Sequence, residues 1–255
     1  MLLAVDIGNS QTSFGLFERE SLKHHWRLDT RAASTIDSLL SFLHPLFSYA
    51  GLSLKDVTSL VICSVVPSVD RIYQEFAERH LKLPLKTINH RSKLGFELNV
   101  DTPGEVGADR LANVQYAIEK MKLPVIVVDF GTATTFDLGV ERSGRPSYEG
   151  GVILPGVRIA LEALSSRTSK LSSVDLKFPA SVVGRNTTDC IQSGLLYGYV
   201  DQIDGLIDRF NENVRTPCEV VLTGGLGALF QDKLRHKCRY EPDLTLQGIR
   251  LLSDN

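Results

Sequence analysis

Cysteine is scarce in this chain, and what there is lies scattered. Cys63, Cys190, Cys218 and Cys238 form no C-x-x-C pair, and none has histidines at zinc-ligand spacing. That excludes a disulfide scaffold and a zinc module, and it predicts reduced thiols in a cytoplasmic protein. Long apolar runs are missing as well. The longest clean stretch lies near Val125–Val128, far short of the roughly 18 residues of a membrane span. Met1–Ser10 has no basic start, and Asp6 interrupts its apolar stretch, so no secretory signal is expected. Nor does one sign of charge dominate. With 28 basic and 30 acidic residues the net charge is -2, which argues against nucleic-acid or membrane partners. A chain of 255 residues buries enough surface to need neither disulfide nor metal for its core.

What is present is an internal echo. Leu2-Leu3-Ala4-Val5-Asp6-Ile7-Gly8-Asn9-Ser10-Gln11-Thr12 is answered by Val125-Ile126-Val127-Val128-Asp129-Phe130-Gly131-Thr132-Ala133-Thr134-Thr135. Each copy is an apolar run, then Asp, an apolar residue, Gly, and a string of small polar residues. The two aspartates stand 123 residues apart, close to half the chain. A fainter echo pairs Ser59–Ser64, running into Val65-Val66-Pro67-Ser68, with Glu219–Thr223, running into Gly224-Gly225-Leu226-Gly227. A period this long is no solenoid. It predicts a duplicated α/β protein with an active cleft between residues 1–117 and residues 118–255.

Periodicity supplies the elements. Leu2–Val5 and Phe14–Phe17 read as buried strands joined by a glycine turn. Arg71–Leu83, Val106–Met121 and Asp189–Phe210 carry apolar residues at helical spacing. Strands alternating with helices give an α/β fold.

The glycine turns carry the chemistry. Gly8 permits close backbone approach, and successive N–H groups around it can cradle an anion. Asn9, Ser10, Gln11, Thr12 and Ser13 add donors without bulk, and Asp6 is placed to hold magnesium, directly or through water. An exposed polar hairpin would look the same. Neither G-x-x-x-x-G-K-[ST] nor G-x-G-x-x-G is present at this turn. In the second turn, Thr132 and Thr134 offer hydroxyls to phosphate, Asp129 a cation ligand, and Asp137 a loop or water contact. Gly107-Ala108-Asp109-Arg110 opens the third helix. It reads either as a surface ion pair or as a carboxylate base beside an anion-binding arginine, with small residues letting a substrate in. Gly150–Val157 reads as a cleft wall or a structural turn. Thr223-Gly224-Gly225 suits a base or ribose. Thr187 is either a loop contact or the N-cap of the long helix.

In their order and spacing these segments resemble the type III pantothenate kinases of bacteria, over about Leu2 to Leu229. The resemblance implies an acetate-kinase/actin-like fold of two ribonuclease H-like domains, each a mixed sheet flanked by helices. The first would be residues 1–117, with the first phosphate loop. The second would be residues 118–255, with the second loop and the nucleotide-base segment. It implies transfer of the ATP γ-phosphoryl to pantothenate, the first step of coenzyme A synthesis. By that resemblance Asp6, Ile7, Gly8, Asn9, Ser10, Gln11, Thr12 and Ser13 match the first phosphate loop. Asp109 matches the proton acceptor, and Gly107, Ala108, Asp109 and Arg110 the pantothenate segment. Asp129 matches the ligand of a monovalent cation, K+ or NH4+, used beside Mg2+. Thr132 matches an ATP contact, and Thr187 a substrate contact from the other subunit of a homodimer. Ser10, Val100 and Arg185 stand where Thr, Tyr and Lys are common. A related small-molecule kinase or a non-catalytic regulatory factor of the same family are the alternatives.

Overall fold

The computed structural model describes residues 1–166 and 174–253. The chain divides into two compact units, Met1–Glu119 with Asp243–Asn255, and Lys120–Pro242.

In the first unit, β1 (Leu2–Ile7) is the centre of a sheet. Leu3, Ala4, Val5 and Ile7 are fully buried, as a strand covered on both faces requires. β2 (Gln11–Glu18) and β3 (Ser21–Asp29) follow antiparallel, with an irregular register between Leu16 and Phe17. β4 (Ser59–Ser64) pairs parallel with β1, and β5 (Leu85–Thr87) parallel with β4. The order is β3-β2-β1-β4-β5. A short strand β6 (Glu97–Leu98) comes later. Helix α1 (Ile36–Tyr49) turns Leu39, Leu43 and Phe47, four residues apart, into the core beside Phe14, Leu16 and Ile62. Helix α2 (Pro67–Phe76) starts four residues earlier than its apolar spacing suggests, because Pro67 suits a first helical turn. It passes into a π-helical turn, Ala77–Leu81. Helix α3 (Ala108–Lys120) buries Leu111, Val114 and Ala117.

The second unit repeats this plan. β7 (Val125–Phe130) is central; β8 (Ala133–Arg142) and β9 (Arg145–Pro155) follow antiparallel. Helix α4 (Val157–Ser166) and the long α5 (Thr187–Val214) come next. β10 (Glu219–Gly224) pairs parallel with β7, and after α6 (Gly227–Phe230), β11 (Arg239–Tyr240) pairs parallel with β10. The run β9-β8-β7-β10-β11 has the order and directions of β3-β2-β1-β4-β5. The duplication expected from the sequence is therefore present in the ladders. Leu196, Tyr199, Val200, Ile203 and Ile207 form the apolar stripe of α5 against Ile126, Val128 and Phe136.

The last helix, α7 (Leu244–Ser253), returns to the first unit. A Cβ on Gly248 would lie 1.9 Å from the Ala112 carbonyl oxygen, so α7 and α3 meet backbone to backbone. Thr245 Oγ1 donates to Asn113 Oδ1 at 2.7 Å, and His25 Nδ1 lies 2.6 Å from Asp243 Oδ1. The expected second domain, 118–255, thus gives its final helix to the first.

Candidate active site

In the first unit the site is built at the C-terminal ends of the parallel strands β1 and β4, where open α/β sheets characteristically take ligands. Asp6 is paired across the sheet with Cys63 on one side and Ser13 on the other. The chain turns through Gly8, whose N–H donates to the Gln11 carbonyl at 3.1 Å. A Cβ on Gly8 would lie 3.0 Å from that same oxygen. Asn9, Ser10 and Gln11 are exposed, whereas Ile7 and Thr12 are fully buried. The Ile7 side chain belongs to the core, and the Thr12 hydroxyl is 3.0 Å from that of Thr30. Ile7 and Thr12 thus shape the loop from behind, and the exposed face belongs to Asn9, Ser10 and Gln11.

The Gly107–Arg110 segment reaches the same strand ends. The Val65 N–H donates to the Ile7 carbonyl at 3.1 Å, and Val65 Cγ1 is 3.5 Å from where a Cβ of Gly107 would stand. The Asp109 carboxylate closes over Gly107 so tightly that this Cβ would be 2.4 Å from its Oδ1. Oδ1 also accepts the Arg110 N–H at 2.8 Å. Burial raises the Asp109 carboxyl above the ordinary aspartate range, against the pull of the Arg110 N–H and charge. Cys63 ties the two parts together. Burial pushes its thiol well up, and the charges of Asp6 and Asp109 both add to the shift. Asp6 and Asp109 therefore both act on one buried sulfur, although 103 residues separate them in the chain. Cys63 and Val65 were not singled out in the sequence; only their place at the end of the fainter echo marks them.

In the second unit, Asp129 is paired with Thr135 and Thr223. A Cβ on Gly224, whose φ is +83°, would lie 2.5 Å from Asp129 Oδ1, so only glycine leaves that carboxylate its place. Gly131 and Thr132, both exposed, connect β7 to β8. Gly156 N–H donates to the Thr132 carbonyl at 3.1 Å. Thr134, expected to offer a hydroxyl to phosphate, is fully buried. Asp137 is also fully buried, and Tyr148 donates to its Oδ1 at 2.7 Å. That carboxylate faces the core and not a loop or water.

Thr187 is exposed in the first turn of α5. It is not the N-cap. Asn186 holds that position, its side chain accepting the Asp189 N–H at 2.9 Å. Among the described residues no group of three His, Cys, Asp or Glu side chains is arranged to hold a metal ion. No described helix is long and apolar enough to cross a membrane.

Comparison with known proteins gives the family. The family model of type III pantothenate kinase matches residues 2–209. A type III pantothenate kinase of Desulfosudis oleivorans is 42% identical over 256 residues, covering 100% of this chain and 99% of the relative. Among solved structures, a Baf family protein of Campylobacter jejuni superimposes with a TM-score of 0.60 at 21% identity, covering 99% of this chain and 97% of that one. The Lmo2764 protein of Listeria monocytogenes gives 0.51 at 13% identity, covering 99% of both chains. These structural likenesses carry the fold, two ribonuclease H-like halves of the actin-like kind. The match along the chain carries more: this protein belongs to the type III pantothenate kinase family.

Proposed function

We propose that this chain phosphorylates pantothenate with ATP, giving 4'-phosphopantothenate for coenzyme A synthesis. The observation that carries the reading is the Asp109 carboxylate, raised by burial and seated against Gly107 beside the end of β1, the strand that carries Asp6. Phosphoryl transfer asks a protein for positioning and charge stabilisation more than for covalent chemistry. The exposed face of the first loop, with Asn9, Ser10 and Gln11, takes phosphate oxygens, with the half-buried Ser13 of β2 beside it; Thr132 gives a further ATP contact. Asp109 orients the pantothenate hydroxyl and accepts its proton. Its raised proton affinity brings it nearer to the working pH, which favours that acceptance. Arg110 takes the pantothenate carboxylate, and Gly107 and Ala108 keep the approach open.

Magnesium characteristically binds through one or two carboxylates plus substrate phosphates, so a lone Asp6 suffices as its protein ligand. Bound there, it would neutralise phosphate charge. Asp129, kept clear by Gly224, is the ligand for K+ or NH4+ in the same reading.

The working form is a homodimer. Ile153, Ile159, Leu164, Val182 and Val183 are large apolar residues left exposed in the second unit, and a second copy would cover them. Thr187, exposed nearby in sequence, contacts the substrate held by that copy. The four unpaired cysteines suit the cytoplasm.

The test is direct. Purified protein with ATP, magnesium and potassium should release ADP only when pantothenate is added. ADP release that ignores pantothenate, or no release at all, overturns the reading.

A further inference from the structure

The two glycine turns differ in what stands behind them. Their ladders align Thr12, paired with Ile7, with Thr134, paired with Phe130. In both units the first residue after the third strand donates its N–H into the turn. Thr30 donates to the Ser10 carbonyl and Gly156 to the Thr132 carbonyl, each at 3.1 Å. Thr30 and Gly156 are therefore counterparts.

Gly156 has no room for a side chain, since its Cβ would lie 2.2 Å from the Thr132 oxygen. The first turn has an additional connecting residue, Gly8-Asn9-Ser10 against Gly131-Thr132. There Thr30 fits, and its hydroxyl donates to the Gly8 carbonyl at 2.7 Å. A hydroxyl has one proton, so Thr12 must be the donor in the 3.0 Å contact between the two threonines. In the second unit Thr134 Oγ1 is buried without a partner among the described residues, because Gly156 brings no hydroxyl. The Thr12–Thr30–Gly8 chain is thus peculiar to the first loop, and Thr30 within it is almost completely buried.

We infer that Thr30 is a positioning residue for phosphate binding: it holds the first loop in its binding shape from behind. In a trans peptide the C=O and the following N–H point in opposite directions. Fixing the Gly8 carbonyl therefore fixes the Asn9 N–H on the far side, and fixing the Ser10 carbonyl does the same for the Gln11 N–H. Thr30 holds one carbonyl with its side chain and the other with its backbone. It touches no phosphate itself. The inference rests on the reading of Asp6–Ser13 as the ATP phosphate loop.

The test compares Thr30→Val, which keeps the shape and loses the hydroxyl, with Thr30→Ser, which keeps the hydroxyl. Thr30→Val should lower kcat/KM for ATP by about tenfold, the scale of one hydrogen bond and the carbonyl it leaves unpaired. The KM for pantothenate should stay within about twofold, and Thr30→Ser should recover most of the loss. Unchanged ATP kinetics in Thr30→Val, an equal rise in both KM values, or no recovery in Thr30→Ser overturns the inference. If Thr30→Val does not fold, Thr30→Ala is examined for the rise in unfolding temperature on adding ATP with magnesium. A smaller rise than in the wild type supports the anchor, and an equal rise overturns it. This second readout needs no turnover, so a wild type that ignores pantothenate refutes the proposed reaction without deciding the role of Thr30.

Discussion

Gly107→Ala displaces the Asp109 carboxylate and narrows the approach that Gly107 keeps open. A Cβ at residue 107 would stand 2.4 Å from Asp109 Oδ1. The oxygen must retreat by about 0.6 Å to reach 3.0 Å, and by about 1 Å to reach ordinary contact at 3.4 Å. The other neighbours, Asp109 Cγ and Val65 Cγ1, are already at 3.5 Å and need not move. Residue 107 is not among the glycines with positive φ, so its backbone accepts alanine without strain. Gly→Ala at such a site stabilises by roughly 0.4–1 kcal/mol through the unfolded chain. A misplacement of about 1 Å at a reacting group costs on the order of 10²-fold in rate. The variant should therefore melt at or slightly above the wild-type temperature while kcat falls by about 10- to 100-fold. ADP release with saturating ATP and varied pantothenate, beside a thermal melt, measures both. A kcat within twofold of wild type would refute the idea that Asp109 must sit where it does.

Asp109→Asn should fold and lose about 10²–10⁴-fold in kcat. The carboxyl is raised in the folded state, so wild-type kcat/KM should fall with decreasing pH before the ordinary aspartate range is reached. The same shift means that the wild type gives up stability as pH climbs from the ordinary aspartate range through the raised value. Asp109→Asn should escape that loss, which melts at pH 4 and pH 7 would show. Gly224→Ala puts a side chain at φ +83° and 2.7 Å from Phe130 backbone, and should destabilise by about 1–3 kcal/mol in urea unfolding. Gly248→Ala must push α7 off the Ala112 carbonyl; overpacking of this kind costs about 1–3 kcal/mol, again read by urea.

The fold was legible because the echo is written twice in the strongest code a sequence has, a buried apolar strand ending in Asp-x-Gly. What escaped was register. Aligning Gly8 with Gly131 sets Thr12 beside Thr135, but the ladders pair Thr12 with Ile7 and Thr134 with Phe130. One extra loop residue shifts everything after it, and composition does not reveal which residue is extra. Hence Thr134 looked available to phosphate when it is buried. Thr30 escaped for another reason. It lies 22 residues from Gly8, in a stretch with no motif, and only the return of β3 brings its hydroxyl to the loop. The docking of α7 was hidden likewise, because Gly248 stands alone in a helical pattern and its reason is a carbonyl on α3.

The duplicated strand ends have been given different surroundings. Asp6 and Asp129 occupy the same place in their ladders, opposite Cys63 and Thr223. The next position is Ser64 in one and Gly224 in the other. Ser64 is tied into its own turn, its hydroxyl donating to Asp70 Oδ1 and accepting the Val66 N–H. Gly224 instead leaves open the space that a Cβ would take from the Asp129 carboxylate. In the first unit the charge of a second carboxylate, Asp109, also reaches Cys63 at that strand end, and burial raises that carboxylate's proton affinity. The same strand end thus has two surroundings, a serine tied into its own turn in one unit and an open glycine in the other.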